Sequence, residues 1–438
     1  MKEIINDGKF NTRLTVSDWR FSASVIGLIR YFRYHNIEFE IEDDSILYNS
    51  DEITEEKYFK FAEYYFYNDL HHTVIEDILQ NNEFSEEQVK LVNQKLKAAV
   101  IMKNIFKDIK FTGSNKEEII ELINNNRLEI IKETFRRKSE MYRTFCNENK
   151  LLTQQESQCR LAGFFVDKAK KINSVSYKFN KNTHRSTDCI EFDFIVFGFS
   201  RTREHIFIND NFNIKRLQQT QDYFQRTLSE SNIKDSYNVL FQNIIQSINF
   251  INRDVEIIVK SENKKYYETM FVRKSAINIL KQIASKNIDY KALYSHIKVT
   301  DKYYININRE VMHHILNNIA MDSLIEKCIK YNKRYIVNQL TKINNLIKKD
   351  GDEMDSKMKN AYACAMEINK KLEKNKVESY KNKLLGSIMF KDYDRVCTIL
   401  MKLSMYSKVQ FSFAYSLFDN FEDNKNIIYT FINTLGLN

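Results

Sequence analysis

No proline occurs anywhere in the 438 residues, although average usage near 5% would place roughly 20 in a chain of this length. There are eight glycines, so the chain has no proline kinks or cis-proline turns. Its breaks fall to those glycines and to Asn/Asp clusters. The bias towards Lys, Asn, Ile, Tyr and Phe matches AT-rich codons and says nothing by itself about function. The length suffices for two or three domains with real cores.

No apolar run approaches about 18 residues, and the opening MKEIINDGKF lacks the apolar centre of a signal peptide. A cytoplasmic protein with no membrane partner is therefore expected. Cys146, Cys159, Cys189, Cys328, Cys364 and Cys397 have no paired spacing, and reduced packing thiols are the expectation for them. The net charge of +9 is unevenly spread: residues 1–130 carry −8, 131–322 carry +10 and 323–438 carry +7. Phosphate binding, if it occurs, is expected after residue 130.

The hydrophobic pattern predicts an α+β fold that is predominantly helical. A mixed N-terminal region with two or three small β elements (1–308) is expected to precede a C-terminal helical bundle (309–438). In SDWRFSASVIGLIRYFRYHN (17–36), a Ser or Asp cap precedes Val25, Ile26, Ile29 and Phe32 at helical spacing. IEFEIEDDSILY (37–48) alternates and turns at Asp43-Asp44, predicting a hairpin. Residues 54–145 read as helical, broken at NNEFS and TGSN. VSYKFN, CIEFDFIVFGF and HIFIN, within 175–209, read as strands of a β module over 145–212. A helix is expected over about 213–250, and DVEIIVK with YYETMFV predicts a hairpin over 254–273. Four or five helices are expected after 309, separated at KKDGDEM, near LLGS and at FEDNKN.

Structural zinc needs four ligands, typically from two Cys-x-x-Cys pairs. Cys146 and Cys189 each open such a stretch, but Asn149 and Phe192 stand where the second cysteine would be. With Cys159 and His184 a non-standard site is conceivable, although a zinc-free module packed by apolar residues is the expected outcome. Asp254, Glu256 and Lys260 share one strand face and have the residue types of a metal-dependent nuclease, but so does an exposed hairpin. Arg30…His35 and Arg309…His314 match the Arg-x4–6-His spacing of helical ribonucleases, a spacing that composition alone also generates. His71-His72 and His313-His314 show no acidic or cysteine partner at metal spacing on the same face and read as solvated or hydrogen-bonded histidines. Phosphate-loop, dinucleotide and nucleophile-elbow motifs are absent from the sequence.

DWRFSASVIGLIRYF near the start, a cysteine-headed stretch running into HIFINDN, the DVEIIVK…YYETMFV hairpin and the closing LMKLSMYSKVQFSF…NIIYTFINTLGLN occur in a telling order. In that order the chain resembles the large subunit of type I CRISPR Cascade complexes. It is similar to the type I-B branch named for two Cys-x-x-Cys pairs. Asp18, Trp19, Ala23 and Gly27 match the opening helix. Cys146 and Cys189 match the first cysteine of each pair, and Ile208, Asn209, Asp210 and Asn211 the segment after them. Leu403, Ser404 and Met405 with Phe431, Ile432 and Asn433 match the closing helices. The missing second cysteines put the family's zinc in doubt and make 145–212 a degenerate zinc-ribbon-like module.

The resemblance implies a role without catalysis, and with the second cysteines missing neither a metal nor a cofactor is expected in this chain. Such subunits sit at the 5′ end of the guide crRNA beside the other Cascade subunits (backbone, handle-binding and small subunits). They recognise the motif flanking a double-stranded DNA target (the PAM), stabilise the R-loop and its displaced single strand, and recruit the helicase-nuclease. A small subunit translated from an internal start such as Met312 or Met321 fits that branch. Reading by base pairing leaves the protein to contact shape and phosphates. Lys168, Lys170, Lys171, Lys178, Lys181, Arg185, Arg201 and Arg203 are the expected contacts for flanking duplex or guide handle. Lys370, Lys371, Lys374 and Lys376 are those for a single-stranded backbone. The competing reading is a helical ribonuclease acting on RNA through the Arg/His pairs.

Overall fold

The computed structural model describes the chain except for residues 7, 154–159, 164–187, 202–203, 211–212, 231–253, 262–265, 287, 302, 350–351 and 438. The fold is α+β and predominantly helical, with small antiparallel sheets followed by a helical C-terminal region. Two compact units are formed. The first is built from Met1–Glu230 and Val255–Met270, the second from Phe271–Asn438 with the segment ending at Asp254.

In the first unit, the opening helix Trp19–His35 starts where Asp18 accepts a hydrogen bond from the Arg20 amide at 2.8 Å. It stops at Asn36, whose φ of 52° is left-handed. The hairpin expected over 37–48 is present as Phe39–Ile41 and Ser45–Tyr48. It extends to a four-stranded antiparallel sheet through Thr12–Thr15 and Lys2–Ile4, which the sequence reading missed. Thr12–Thr15 alternates buried and half-buried residues with Leu14 fully buried, so its short period of two is real but too brief to stand out.

Helices from Glu55–Tyr65 to Arg127–Arg137 follow, broken at NNEFS and TGSN as expected. Ser85 in the first of these breaks forms a capping box with Gln88. A satellite core of Ile75, Leu79, Val92, Met102, Phe106 and Ile123 lies under them. Glu204–Asn209 pairs antiparallel with Val255–Ser261, with Phe207 opposite Ile258. Glu268–Val272 adds the third strand, so both HIFIN and the 254–273 hairpin are present. VSYKFN lies outside the described residues.

The reading of CIEFDFIVFGF as a strand is corrected. Ile190–Phe194 is a 3-10 helix and Ile195–Gly198 a short α-helix. Phe192, Phe194, Ile195, Phe197 and Phe199 are all fully buried, and so are Glu191 and Asp193 among them, so the alternation of Ile-Glu-Phe-Asp-Phe mimics a strand with no solvent-facing side. Backbone groups are satisfied locally and by side chains instead of a ladder. The Phe192 amide bonds the Cys189 carbonyl at 3.1 Å. The Tyr58 hydroxyl donates to the Asp193 carbonyl at 2.8 Å, and Arg30 and Tyr65 both donate to the Phe197 carbonyl. The segment crosses the opening helix at backbone distance. A Cβ on Gly27 would lie 2.1 Å from the Phe194 carbonyl oxygen, and one on Gly198 would lie 2.3 Å from that of Ala23.

The second unit begins with Lys274–Ser285 and a two-stranded sheet, His296–Lys298 with Tyr304–Asn306. From residue 307 onwards, among the described residues, eight helices replace the four or five expected: Ile307–Asn317, Asp322–Lys330, Arg334–Lys348, Asp352–Lys371, Lys374–Met389, Tyr393–Ser407, Ala414–Asp419 and Lys425–Thr434. Breaks occur at KKDGDEM, at FEDNKN and, just past LLGS, at residues 390–392. Extra breaks come at Asn318, Asn332 and Lys408, in left-handed backbone with φ of 54°, and Lys349 and Lys391 take the same conformation at the expected breaks. In a proline-free, glycine-poor chain these positions take over the capping that glycine usually performs. No helix among the described residues is long and apolar enough to cross a membrane.

Candidate nucleic-acid interface

Of the basic residues expected to contact duplex or guide, Lys168, Lys170, Lys171, Lys178, Lys181, Arg185 and Arg203 lie outside the described residues. Arg201 is described and is engaged within the fold. Its guanidinium donates to the Tyr65 carbonyl at 2.6 Å, pairs with Asp69, and lies over the Tyr65 and Phe66 rings at 5.5 and 5.3 Å.

The C-terminal lysines flank one helix junction. Lys370 and Lys371 end Asp352–Lys371, while Lys374 and Lys376 open the next helix after Glu373. All four are exposed. Lys371 pairs with Glu367 at 2.6 Å, one turn back. Lys376 reaches Tyr406, donating to its hydroxyl at 2.6 Å with its ammonium 5.2 Å from the ring centroid. That hydrogen bond raises the Lys376 ammonium above its usual range, so it stays charged. Tyr406 is 51% exposed, beside Met405 at 80% and Met401 at 51%. The sequence reading found the lysines but not the tyrosine, which lies some thirty positions away and is delivered by the neighbouring helix Tyr393–Ser407. Phosphate-neutralising charge and an open aromatic face thus meet on one surface, the two components of single-strand binding.

Among the described residues of the single chain, the side chains of the competing readings face separate groups. Arg30 points to Phe197 and Tyr65, whereas His35 bonds the Lys57 carbonyl at 2.8 Å. Arg309 is exposed on the first turn of its helix, and His314 faces the Ile319 carbonyl at 3.2 Å. Asp254 accepts from the Lys274 amide at 2.7 Å, Glu256 from Asn209 at 2.9 Å, and Lys260 is buried against Tyr267.

Among the described residues, Cys146 and Cys189 belong to no group of side chains placed to hold a metal ion. The Cys146 thiol faces the Phe192 carbonyl at 3.8 Å within an aromatic core. Burial, reinforced by Asp193, pushes it far up, and burial with Glu191 does the same for Cys189. Cys159 and His184 lie outside the described residues.

The sequence reading that His72 has no acidic partner is corrected. Its Nε2 lies 2.8 Å from Glu63, and Glu76 stands one turn along the same helix. The i,i+4 spacing of His72 and Glu76 was the available signal. Arg127 bonds Glu63 at 2.5 Å and also pairs with Glu76. Burial favours a raised Glu63 carboxyl, yet His72 and Arg127 hold it below its ordinary range. A guanidinium already supplies the charge a metal would bring, so the cluster joins three helices as an ion-pair network. Its neighbour His71 is pushed down to about 4 by burial, Lys138 and Lys95.

The residues that carried the resemblance are mostly structural. Trp19 packs against Phe199 and Tyr267, with ring centroids at 6.1 and 4.8 Å. Asp210 accepts from Arg216 at 3.2 Å, and Asn433 donates to the Arg334 carbonyl at 3.0 Å. No curated protein and no solved structure matches the chain. The family model described as CRISPR-associated protein Csx8 matches residues 10–232 and 225–435. Nearly the whole chain is thereby covered, and the protein belongs to this CRISPR-associated family.

Proposed function

We propose that the protein is a non-catalytic large subunit of an RNA-guided DNA surveillance (Cascade) complex. In this reading it binds near the 5′ end of the guide, recognises the motif flanking the target and holds the displaced strand for the helicase-nuclease. Family membership gives the chain a role in CRISPR defence. The observation that carries the finer reading is the exposed junction where Lys376 meets Tyr406 beside Lys370, Lys371 and Lys374. Such a surface tracks a backbone and stacks bases without reading sequence, which is what a subunit needs when pairing with a guide does the reading.

Charge removal at this junction provides the test. Substituting Lys370, Lys371, Lys374 and Lys376 by Gln should weaken single-strand binding uniformly across sequences. Each lost phosphate contact should make the slope of log affinity against log salt shallower by about 0.7. An unchanged slope for the four-fold variant would remove the junction from the interface.

A further inference from the structure

The second unit carries a groove that neither the charge pattern nor the family match singled out. Its walls come from two helices. Tyr335, Asn338 and Lys342 lie along one face of Arg334–Lys348, and Asp355, Lys359 and Tyr362 along one face of Asp352–Lys371. Both sets follow spacings of three and four, so each wall is a single helical stripe. Leu346, Met358 and Thr430 form the floor, and Lys286 stands at one end. Two cavities of about 520 and 330 Å³ share Asn338, Tyr362 and Thr430, so they form one continuous trough. Both volumes fall in the range of about 300–1,000 Å³ typical of small-ligand sites.

Its chemistry selects an occupant. Tyr335 and Tyr362 are 58% and 48% exposed, so their rings are open to a flat partner. Among the described residues, Lys286, Lys342 and Lys359 have no acidic partner within ion-pair range, unlike Lys348 and Lys357 nearby, which pair with Asp322 and Glu353. Tyr335 is steadied by a 2.7 Å hydrogen bond to Asp289, and Asp355 by one of 3.2 Å from Asn345. Open aromatic faces, unpaired ammonium groups, and an amide and a carboxylate that can meet base edges are the parts of a single-strand site. A duplex keeps its bases stacked inside and offers none to stack on an aromatic ring.

We propose that this groove binds an unpaired stretch of nucleic acid, with a base stacked on Tyr362 and adjacent phosphates held by Lys342 and Lys359. The inference rests on the reading of the protein as a nucleic-acid-binding subunit and names a contact distinct from the Lys370–Lys376 junction.

The test uses the full chain and single-stranded DNA carrying 2-aminopurine, read by fluorescence quenching and anisotropy together. Wild type should bind and quench. Tyr362→Ala should lose the quenching and on the order of tenfold in affinity, while Tyr362→Phe, which keeps the ring, should retain both. Lys342→Gln with Lys359→Gln should weaken binding and flatten its salt dependence, with folding checked by circular dichroism. Normal binding and quenching by Tyr362→Ala would overturn the groove and leave the junction standing. A wild-type chain that binds no single strand would overturn both.

Discussion

Gly27→Ala should destabilise the first unit by about 3 kcal/mol or more, the upper end of overpacking costs. The new methyl would stand 2.1 Å from the Phe194 carbonyl oxygen and 2.9 Å from its carbon. The obstacle is backbone, fixed by the hydrogen bonds of the 190–198 segment, so no flexible side chain can yield. Helix propensity works the other way, since alanine is better than glycine by about 1 kcal/mol in a helix interior, and sterics must exceed that. Gly386→Ala provides the matched control. Gly386 lies inside Lys374–Met389 with nothing within 4 Å of its virtual Cβ, so the same substitution should stabilise by roughly 0.5–1 kcal/mol. Thermal denaturation of the two variants should therefore move in opposite directions. A neutral Gly27→Ala would mean that the two helical segments are not packed backbone to backbone.

Asp193→Ala should cost about 3–5 kcal/mol, the usual penalty for breaking a buried ion pair from one side. Asp193 is fully buried and receives four hydrogen bonds: two from Arg160 at 2.8 and 2.7 Å, one from Tyr142 at 2.6 Å and one from the Leu152 amide at 2.7 Å. Removing the carboxylate strands a guanidinium that is only 4% exposed. Burial opposes the charge on Arg160, but Asp193 outweighs it and holds the guanidinium above its usual range. Replacing both partners with Asp193→Leu and Arg160→Met should recover much of the loss, because the unpaired charge is what costs most. Urea denaturation of the single and double variants gives the coupling. A single variant within about 1 kcal/mol of wild type would show that the pair is not sequestered from water.

What was legible in the sequence follows from periodicity. The amphipathic helices bury one stripe and expose another, so their pattern survives without any tertiary knowledge, and the opening helix, though buried on nearly every side, is announced by its Asp18 cap and apolar spacing. Residues 191–198 are buried on every side, and the alternating Ile-Glu-Phe-Asp-Phe that opens the segment imitates a strand period, which is why its helical turns read as a strand. Ala23 and Gly27 drew notice as family positions, but the reason for them, the carbonyls of Ala23 and Phe194 against Gly198 and Gly27, needs three dimensions. Lys349, Lys391 and Lys408 end or precede helices in left-handed backbone, and lysine gives no such signal. Functionally, the Lys370–Lys376 run was visible as charge. Tyr406 was not, and the groove of Tyr335 and Tyr362 is assembled by helices whose contacts no local pattern encodes.

The most direct test of the central claim is to express the chain with its neighbouring genes and a guide RNA, purify through a tag on this chain, and measure target binding by gel shift. The account predicts a guide-containing complex that binds matched double-stranded DNA beside one short flanking motif and releases it when that motif is changed. A chain that purifies without RNA or partner subunits, or one that cleaves RNA and loses the activity with His35→Ala or His314→Ala, would contradict it.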